Sequence, residues 1–300
     1  MFSPPIPSVG EKLMKNAFNL LLLFCLSVFL PFEGHTLEKD TIRFGVASVI
    51  SPGESYSQYS ALSDYLGKKL NMKVAFFQKD SYAKMNTMIR DGEVDVATVC
   101  TGALLDLNEK DYKVLAIPVV RGKSSYHSYI IVSEKSGIKS VDELKGQTFA
   151  FTDSLSNSGA LYPTYLITKN TNQNPDRYFS KVYYTGNHDK SIFLVNSGVV
   201  AGAAVDSLIF EYFREKYPEK VANIRIIDIS PEFLAPPIVA SGKVPEKLFK
   251  KMQNALTNMH KDDEGRKILS GILVDMLIPP DSHSLDSMIE MKKFLDAHSR

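Results

Sequence analysis

The stretch Phe151-Thr-Asp-Ser-Leu-Ser-Asn-Ser-Gly159 joins a predicted strand at 148–152 to a predicted helix at 160–168. Its hydroxyl-rich turn therefore lies where the first backbone N–H groups of a helix lack partners within that helix. Such a turn can bind an anion, because these N–H groups and the helix dipole favour negative charge. Alternatively, Ser156 or Ser158 only caps the helix, which is a frequent role for serine.

The chain before this stretch alternates between apolar runs and segments of helical periodicity. The apolar runs predict strands at 41–48, 72–77 and 94–99. Residues 59–70 and 82–92 place their apolar side chains at helical spacing, and the connections are short. This β-α-β-α-β order predicts a parallel sheet covered by helices.

A second β/α unit follows, between residues 130 and 230. Further extended runs are predicted at 115–120, 128–133 and 238–240, and the capping-box pattern at 140–143 predicts a short helix closed by Gly146. Within the second unit the predicted strands are 147–152, 181–185, 201–205 and 224–229, and the predicted helices are 160–168, 189–197 and 208–216.

The C-terminal part, from Pro245 onward, is predicted to be mostly helical. No third sheet is available for these helices, so we expect them to pack on the first unit. The chain then crosses between two lobes near 120–130 and near 230–240, with a ligand cleft between them. The predicted organisation is lobe 1 at 37–125 plus 235–300 and lobe 2 at 126–234.

Residues 1–36 have the features of a secretory signal peptide. A basic start precedes the apolar run Phe18–Leu30, which is short for a membrane span. Gly34 and Thr36 are poor matches to a cleavage site, so an uncleaved N-terminal anchor stays open. Either alternative predicts a periplasmic location.

Composition excludes several classes of function. The 300 residues carry a net charge of +1, which does not indicate a nucleic-acid surface. We find no dinucleotide-binding, P-loop or metal-ligand motif, and we expect no cofactor, no metal and no catalytic activity. Of the two cysteines, Cys25 lies in the signal segment, so Cys100 has no internal disulfide partner.

Several polar residues should reach the cleft, since each follows a strand or begins a helix. His188 is either an anion donor with some positive charge or a surface histidine beside the capping residue Asn187. Asp206 is either a helix N-cap or an acceptor for a ligand donor. Cys100 is either a buried, inert thiol or a thiolate at a helix start. Tyr82 and Tyr126 are expected in the core or the cleft wall.

Together these segments resemble a known family, the PhnD-like periplasmic phosphate/phosphite/phosphonate-binding proteins of ABC transporters. The resemblance covers about residues 41 to 295 and is carried by the segments Arg43-Phe-Gly-Val46, Gly92-Glu-Val-Asp-Val-Ala97, Val99-Cys-Thr-Gly102, Tyr126-His-Ser-Tyr-Ile-Ile-Val132, Leu144-Lys-Gly-Gln-Thr-Phe-Ala-Phe151, Ser156-Asn-Ser-Gly159 and Gly186-Asn-His-Asp189.

The resemblance implies an α/β, two-lobed periplasmic binding protein of type 2 topology, with a mixed sheet flanked by helices in each lobe. It also implies a ligand-binding set made of Tyr82, Thr101, Tyr126, Ser156, Asn157, Ser158, His188 and Asp206. Asn157 stands where a threonine is more usual, and Val200 where the family often has aspartate.

The function that follows is capture of a phosphonate- or phosphate-like oxyanion for an ABC permease of the inner membrane, by hinge closure. One alternative is a sensor subunit of the same fold that signals to a membrane kinase and binds arsenite through Cys100. Another is an enzyme on this fold with Cys100 as nucleophile.

Overall fold

The computed structural model describes residues 2, 40–47, 49–280 and 285–298. The described residues from Asp40 onward form one compact unit. Apart from Phe2, the predicted signal peptide and its Cys25 lie outside the described residues. Among the described residues, no helix is long and apolar enough to cross a bilayer.

The strands, in chain order, are β1 (Thr41–Ala47), β2 (Lys73–Lys79), β3 (Val96–Thr98), β4 (Tyr112–Val119), β5 (Ser125–Tyr126), β6 (Ser128–Ser133), β7 (Thr148–Phe151), β8 (Lys181–Tyr184), β9 (Gly202–Asp206), β10 (Ile224–Ile229), β11 (Phe233–Leu234), β12 (Ile238–Ser241) and β13 (Met276–Ile278). The described α-helices are α1 (Pro52–Leu70), α2 (Tyr82–Asp91), α3 (Thr101–Leu104), α4 (Tyr162–Thr171), α5 (Pro175–Tyr178), α6 (His188–Asn196), α7 (Ser207–Lys216), α8 (Glu246–Thr257), α9 (Asp263–Gly271) and α10 (Asp286–His298).

One sheet has the strand order β13-β4-β12-β3-β1-β2. Strand β1 pairs in parallel with β2 and β3, as the alternation of strands and helices predicted. Strand β12 is antiparallel to both β3 and β4, so the sheet is mixed. The edge strand β13, antiparallel to β4, was not predicted, because three apolar residues are too short a run to indicate a strand.

The other sheet has the order β10-β6-β9-β7-β8 and is also mixed. Strand β7 is parallel to β8 and β9, whereas β6 is antiparallel to β9 and β10. We call the part built on the six-stranded sheet the first lobe and the part built on the five-stranded sheet the second lobe. The prediction of two lobes with mixed sheets is confirmed.

The two crossing segments pair with each other. In the small sheet of β5 and β11, Tyr126 lies opposite Phe233 and Ser125 opposite Leu234. The ring centroids of Tyr126 and Phe233 are 6.2 Å apart, in an edge contact. Both crossings lie in the regions where the sequence predicted them; the exact lobe boundaries, 37–125 plus 235–300 and 126–234, stay a prediction.

The C-terminal helices divide between two environments. Met252 of α8 and Leu269 of α9 pack in the core of the first lobe, as expected. Helix α10 packs on both lobes, because Met288 and Met291 join a cluster that includes Ile117 of β4 as well as Tyr162 of α4. Phe294 also makes an edge contact with Tyr165, at a centroid distance of 5.2 Å. The expectation that the C-terminal helices pack on the first lobe is therefore incomplete for α10, which also packs on the second lobe.

The capping-box pattern at 140–143 forms less structure than predicted. The segment Asp142–Leu144 is a single 3₁₀ turn, and Ser140 does not cap it. The Glu143 carboxylate instead accepts a hydrogen bond from Lys139 N at 3.0 Å. Gly146 does stop the segment, with a φ of 73° in the left-handed region that glycine adopts readily.

Candidate ligand-binding site

The hydroxyl-rich turn connects β7 to α4 through a π-helical turn, Asn157–Leu161. Ser156 caps this turn, since its Oγ accepts a hydrogen bond from Gly159 N at 3.0 Å. Ser158 has no such role: its Oγ is buried without a hydrogen-bond partner among the described residues. The capping interpretation therefore describes Ser156, whereas the Ser158 hydroxyl makes no hydrogen bond within the described part of the chain.

Helix α3 of the first lobe packs directly on this turn of the second lobe. Asn157 N donates to Cys100 Sγ at 3.5 Å. A Cβ atom on Gly102 would lie 2.5 Å from both Asn157 N and Leu155 O. Only glycine allows the two backbones to approach so closely, so the sequence contained a signal, Gly102 after a strand, that was not interpreted as a contact between lobes.

Tyr126 links this turn to the crossing segment. Its hydroxyl is hydrogen-bonded to Thr101 Oγ1 at 3.2 Å and accepts from Asn157 Nδ2 at 3.1 Å. Burial raises the pKa of Tyr126 well above its usual value, so the hydroxyl stays protonated. Three predicted site residues are therefore brought together, and Asn157 keeps one amide oxygen, Oδ1, with no partner among the described residues.

His188 begins α6 and is 1% exposed, so the alternative of a surface histidine is wrong. Its backbone N donates to Val49 O of the first lobe at 3.0 Å. Its Nδ1 accepts from Asp206 N at 3.0 Å, which places the ring proton on Nε2. Burial lowers the pKa of His188 to about 3, so the imidazole is neutral at pH 7 and the expected positive charge is absent.

The proton on Nε2 makes His188 a fixed neutral donor. Nε2 is buried and has no partner among the described residues. The preceding residue, Asn187, occupies the N-cap position, but its side chain makes no capping bond, in contrast to the prediction. Its Oδ1 is likewise buried without a partner in the described part of the chain.

Asp206 has the capping role that was one of its two predicted alternatives. Its Oδ1 accepts from Leu208 N at 2.7 Å and from Ile209 N at 3.3 Å, so it caps α7. The same residue also lines the cavity between the lobes. Burial raises the pKa of Asp206 to about 7, although the two capping bonds lower it. The carboxyl group can therefore hold a proton near neutral pH and donate it in a hydrogen bond.

Tyr82 is fully buried at the start of α2. Its hydroxyl has no hydrogen-bond partner among the described residues. Burial, followed by the nearby Cys100, Asp153 and Asp206, raises its pKa well above the usual value. Tyr82 is therefore a protonated donor at neutral pH, within electrostatic range of the other site residues.

These contacts connect the predicted residues into one region between the lobes. Tyr82 N donates to Asp153, which precedes the π-helical turn. The Ser158 carbonyl accepts from Ser128 Oγ, and Ser128 lies opposite Asp206 in the sheet. Several buried donors have no hydrogen-bond partner among the described residues, and three of them belong to predicted site residues: Tyr82 Oη, Ser158 Oγ and His188 Nε2. No lysine or arginine is among the described buried residues, so the region can hold an anion only by neutral donors and helix starts.

Two carboxylates of the second lobe were missed as contacts between lobes. Asp189 accepts from Ser51 N, at the start of α1, with Oδ1 at 3.0 Å and Oδ2 at 3.1 Å. Asp153 Oδ2 accepts from Tyr82 N, at the start of α2, at 3.0 Å. Each carboxylate stabilises the N-terminus of a first-lobe helix, where negative charge is favoured. Both residues stand in stretches that the sequence analysis singled out, but no local pattern indicates which helix they cap.

Cys100 is 2% exposed and packs among apolar residues. Burial raises the pKa of its thiol, an effect larger than the opposing hydrogen bonds from Asn157, Gly102 and Ser156. The thiol is therefore protonated at neutral pH, which agrees with the buried, inert alternative and contradicts a thiolate at the helix start.

Comparison with known proteins relates the chain to transport. The family model described as "ABC transporter, phosphonate, periplasmic substrate-binding protein" matches residues 44–285. The phosphonates-binding periplasmic protein of Escherichia coli K12 is 27% identical over 255 residues, which cover 82% of this chain and 74% of that protein.

Two solved structures share the fold. A binding protein component of an ABC phosphonate transporter from Pseudomonas aeruginosa superposes with a TM-score of 0.81 at 21% identity, covering 87% of this chain and 88% of that one. PhnD1 from Prochlorococcus marinus, in complex with methylphosphonate, gives a TM-score of 0.76 at 21% identity, covering 86% and 98%. These relatives are transporter components, and the alternative of a sensor kinase subunit gains no support from them.

Proposed function

The chain belongs to the family of periplasmic substrate-binding proteins of phosphonate ABC transporters, and we propose that it captures a phosphonate- or phosphate-like oxyanion between its lobes. The family resemblance expected from the sequence is confirmed, and this is a family of substrate-binding proteins and not of enzymes. We extend this to the chain itself: it binds its ligand without chemical change.

The observation that carries the proposal is the set of three buried donors without partners, Tyr82 Oη, Ser158 Oγ and His188 Nε2. A buried donor without a partner costs about 1–3 kcal/mol, so a ligand that accepts all three bonds gains affinity from them. A tetrahedral oxyanion offers several acceptor oxygens in a small volume. It therefore suits a region with several donors and, among its described buried residues, no lysine or arginine.

The other predicted residues have supporting roles in this proposal. Thr101, Tyr126 and Asn157 hold one another in position, and Ser156 fixes the start of the π-helical turn. Asp206 contributes a donor when its carboxyl group is protonated, which its raised pKa favours. An anion bound beside it would raise that pKa further, because like charges disfavour ionisation.

Ligand capture would proceed by hinge closure about the β5 and β11 pair, with the lobes at 37–125 plus 235–300 and 126–234. The caps that Asp153 and Asp189 provide join the two lobes, so they contribute stability only when the lobes are together. A ligand that binds both lobes shifts the equilibrium towards this closed form. An inner-membrane permease would then recognise it, after export directed by the N-terminal segment.

Isothermal titration of the purified protein with phosphate, phosphite, methylphosphonate, 2-aminoethylphosphonate, sulfate and arsenite tests the proposal. We expect one-to-one binding of at least one phosphorus oxyanion. The Ser158→Ala variant should bind it about 10- to 100-fold more weakly, since a hydrogen bond to a charged group contributes about 1.5–3 kcal/mol.

Ser57→Ala is the matched control, because Ser57 is exposed on α1. Its affinity should equal that of the unmodified protein. Binding of no phosphorus oxyanion by the folded protein would refute the proposal, as would equal affinities in Ser158→Ala and Ser57→Ala.

A further inference from the structure

The turn that follows β4 has an uncommon backbone conformation. Val120 N donates to Lys123 O at 2.8 Å, and Lys123 N donates to Val120 O at 3.1 Å. Both residues between them have positive φ, with 50° at Arg121 and 77° at Gly122. Two-residue turns of this kind usually contain Asn-Gly or Asp-Gly, because most residues with a Cβ atom are strained at positive φ. Arginine therefore occupies this position against the local backbone preference.

This turn is held on the first lobe. Gly122 N donates to the Asp275 carboxylate at 2.8 Å, and Asp275 N donates to Val119 O of β4 at 2.8 Å. Asp275 directly precedes β13, which pairs with β4 in the six-stranded sheet. The Arg121 side chain therefore extends from a backbone whose position is fixed relative to the first lobe.

The guanidinium group of Arg121 reaches the second lobe. It pairs with two carboxylates of α7, with Glu211 at 3.5 Å and with Glu215 at 3.2 Å. Arg214, which also lies on α7, pairs with Glu211 as well. Glu211 therefore keeps a cationic partner when the lobes separate, whereas the ion pair of Glu215 with Arg121 is lost.

The two glutamates lie away from the start of α7, which is tied to a crossing segment. Ser207 N donates to His127 O at 3.0 Å, and Ser207 Oγ accepts from His127 N at 2.9 Å. Since an α-helix rises about 1.5 Å per residue, Glu215 lies about 12 Å along the helix axis from Ser207. A rotation about the crossing segments therefore moves Glu215 further than it moves Ser207.

We propose that the ion pairs of Arg121 with Glu211 and Glu215, which we call the Arg121 latch, hold the two lobes in the closed arrangement. None of these three residues belongs to the predicted ligand-binding set. The proposal rests on the hinge closure of the proposed function, but it does not depend on which oxyanion is bound. Backbone strain such as that at Arg121 is concentrated at segments that take part in switching, which agrees with this role.

The latch should be weak enough to open and sensitive to salt. The Arg121 side chain is 59% exposed, and ion pairs between exposed groups contribute little and are screened by salt. Loss of the Arg121 charge should therefore lower the ratio of closed to open protein about two- to fivefold at low salt. Salt at about 1 M should have a similar effect on the unmodified protein, because the screening length is then only about 3 Å.

The separation of the lobes can be measured without a ligand, as the distance between two nitroxide spin labels. Ser57→Cys on α1 and Val199→Cys after α6 provide exposed attachment points on the first and the second lobe. These helices meet where Ser51 N donates to Asp189, at the start of both. Opening of the lobes should therefore lengthen the distance between the labels.

Charge reversal and charge exchange make the test specific to the latch. All labelled variants also carry Cys25→Ser, and Cys100 is buried. Arg121→Glu and Glu215→Arg each place like charges opposite one another, so each should shift the distances to longer values. The double variant should shift them back, because opposite charges then face each other again. Lys247→Glu, at an exposed lysine of α8, is the control for the change in net charge and should leave the distances unchanged.

Arg121→Asn separates the latch from a role in folding. Asparagine adopts positive φ more readily than arginine, so the turn should form at least as well in this variant. Its thermal midpoint should lie within about 3 °C of that of the unmodified protein. The ratio of closed to open protein should nevertheless fall about two- to fivefold.

The outcomes separate this proposal from the proposed function. Equal distance distributions in the unmodified protein, Arg121→Glu and Glu215→Arg overturn the latch, and so does a double variant that remains as open as the single ones. Either result leaves the proposed function intact, because titration with oxyanions decides that function. Conversely, a folded protein that binds no phosphorus oxyanion loses the proposed function, while the distances still decide whether the latch exists.

Discussion

Asp206 and His188 should make opposite contributions to the pH dependence of stability, and these should nearly cancel. The folded state raises the pKa of Asp206 from 3.8 to about 7, so between these values it holds a proton that the unfolded state has lost. Stability from Asp206 is therefore present at low pH and falls as pH rises through this window.

His188 behaves in the opposite sense. Its pKa falls from 6.5 to about 3 on folding, so between these values the unfolded state binds a proton that the folded state lacks. Stability from His188 therefore rises with pH through this window. Between pH 3.8 and 6.5 the two groups together bind one proton in either state, and their slopes cancel.

Single substitutions should expose each slope. Asp206→Asn keeps a good N-cap for α7 but removes the acid. Relative to the unmodified protein, its free energy of unfolding should rise with pH by about 1.4 kcal/mol per unit. Across the shared window this amounts to at most about 4 kcal/mol. His188→Asn should show the opposite slope, a free energy of unfolding that falls as pH rises.

Urea unfolding without ligand at pH 4, 5 and 6 measures these slopes. Ser57→Ala, which alters an exposed serine on α1, serves as the control and should run parallel to the unmodified protein. The reasoning is refuted if Asp206→Asn and His188→Asn both run parallel to the unmodified protein, or if their slopes have the same sign.

Three further substitutions test the contacts between the lobes. Gly102→Ala should reduce ligand affinity at least tenfold, because its Cβ would lie 2.5 Å from two backbone atoms of the second lobe. Gly53→Ala is the control: a Cβ at Gly53 meets open space, so this variant should bind normally in the same titration. Asp189→Asn should lower ligand affinity about two- to fivefold, because loss of a charge at a helix N-terminus costs about 0.3–1 kcal/mol. Unchanged affinity would argue against a role for the contact between Asp189 and Ser51 N in closing the lobes. Cys100→Ser should keep ligand affinity within a few-fold by calorimetry, since the thiol is protonated and buried, and complete loss of binding would contradict its inert role.

Local patterns predicted much of the secondary structure because they report interactions between near neighbours. The helix expected to end near Gly92 does end there, with Gly92 at a φ of 68°. The strand expected at 224–229 has those bounds. Elements of only three residues were not predicted correctly, because so short a segment carries too little periodicity. Strand β13 and the 3₁₀ turn at 142–144 are the examples.

The sequence indicated candidate residues for the proposed site, but it did not indicate their protonation states. Sequence position indicated His188, yet its charge depends on burial by both lobes, and its tautomer depends on a backbone N–H eighteen residues away. The same holds for Asp206, whose raised pKa comes from desolvation and not from its neighbours in the chain. Tyr59 lay on a predicted helix, but only the tertiary packing brings it to the cavity.

The sequence by itself determined the α/β elements, the hydroxyl-rich turn and the family, because helix periodicity, caps and apolar strands are encoded within a few residues. The tertiary structure alone decided that Asp153 and Asp189 cap helices of the other lobe and that α10 packs on α4. It also decided that the donors of the site are neutral. These properties depend on contacts and desolvation between residues distant in the chain, which no local pattern specifies.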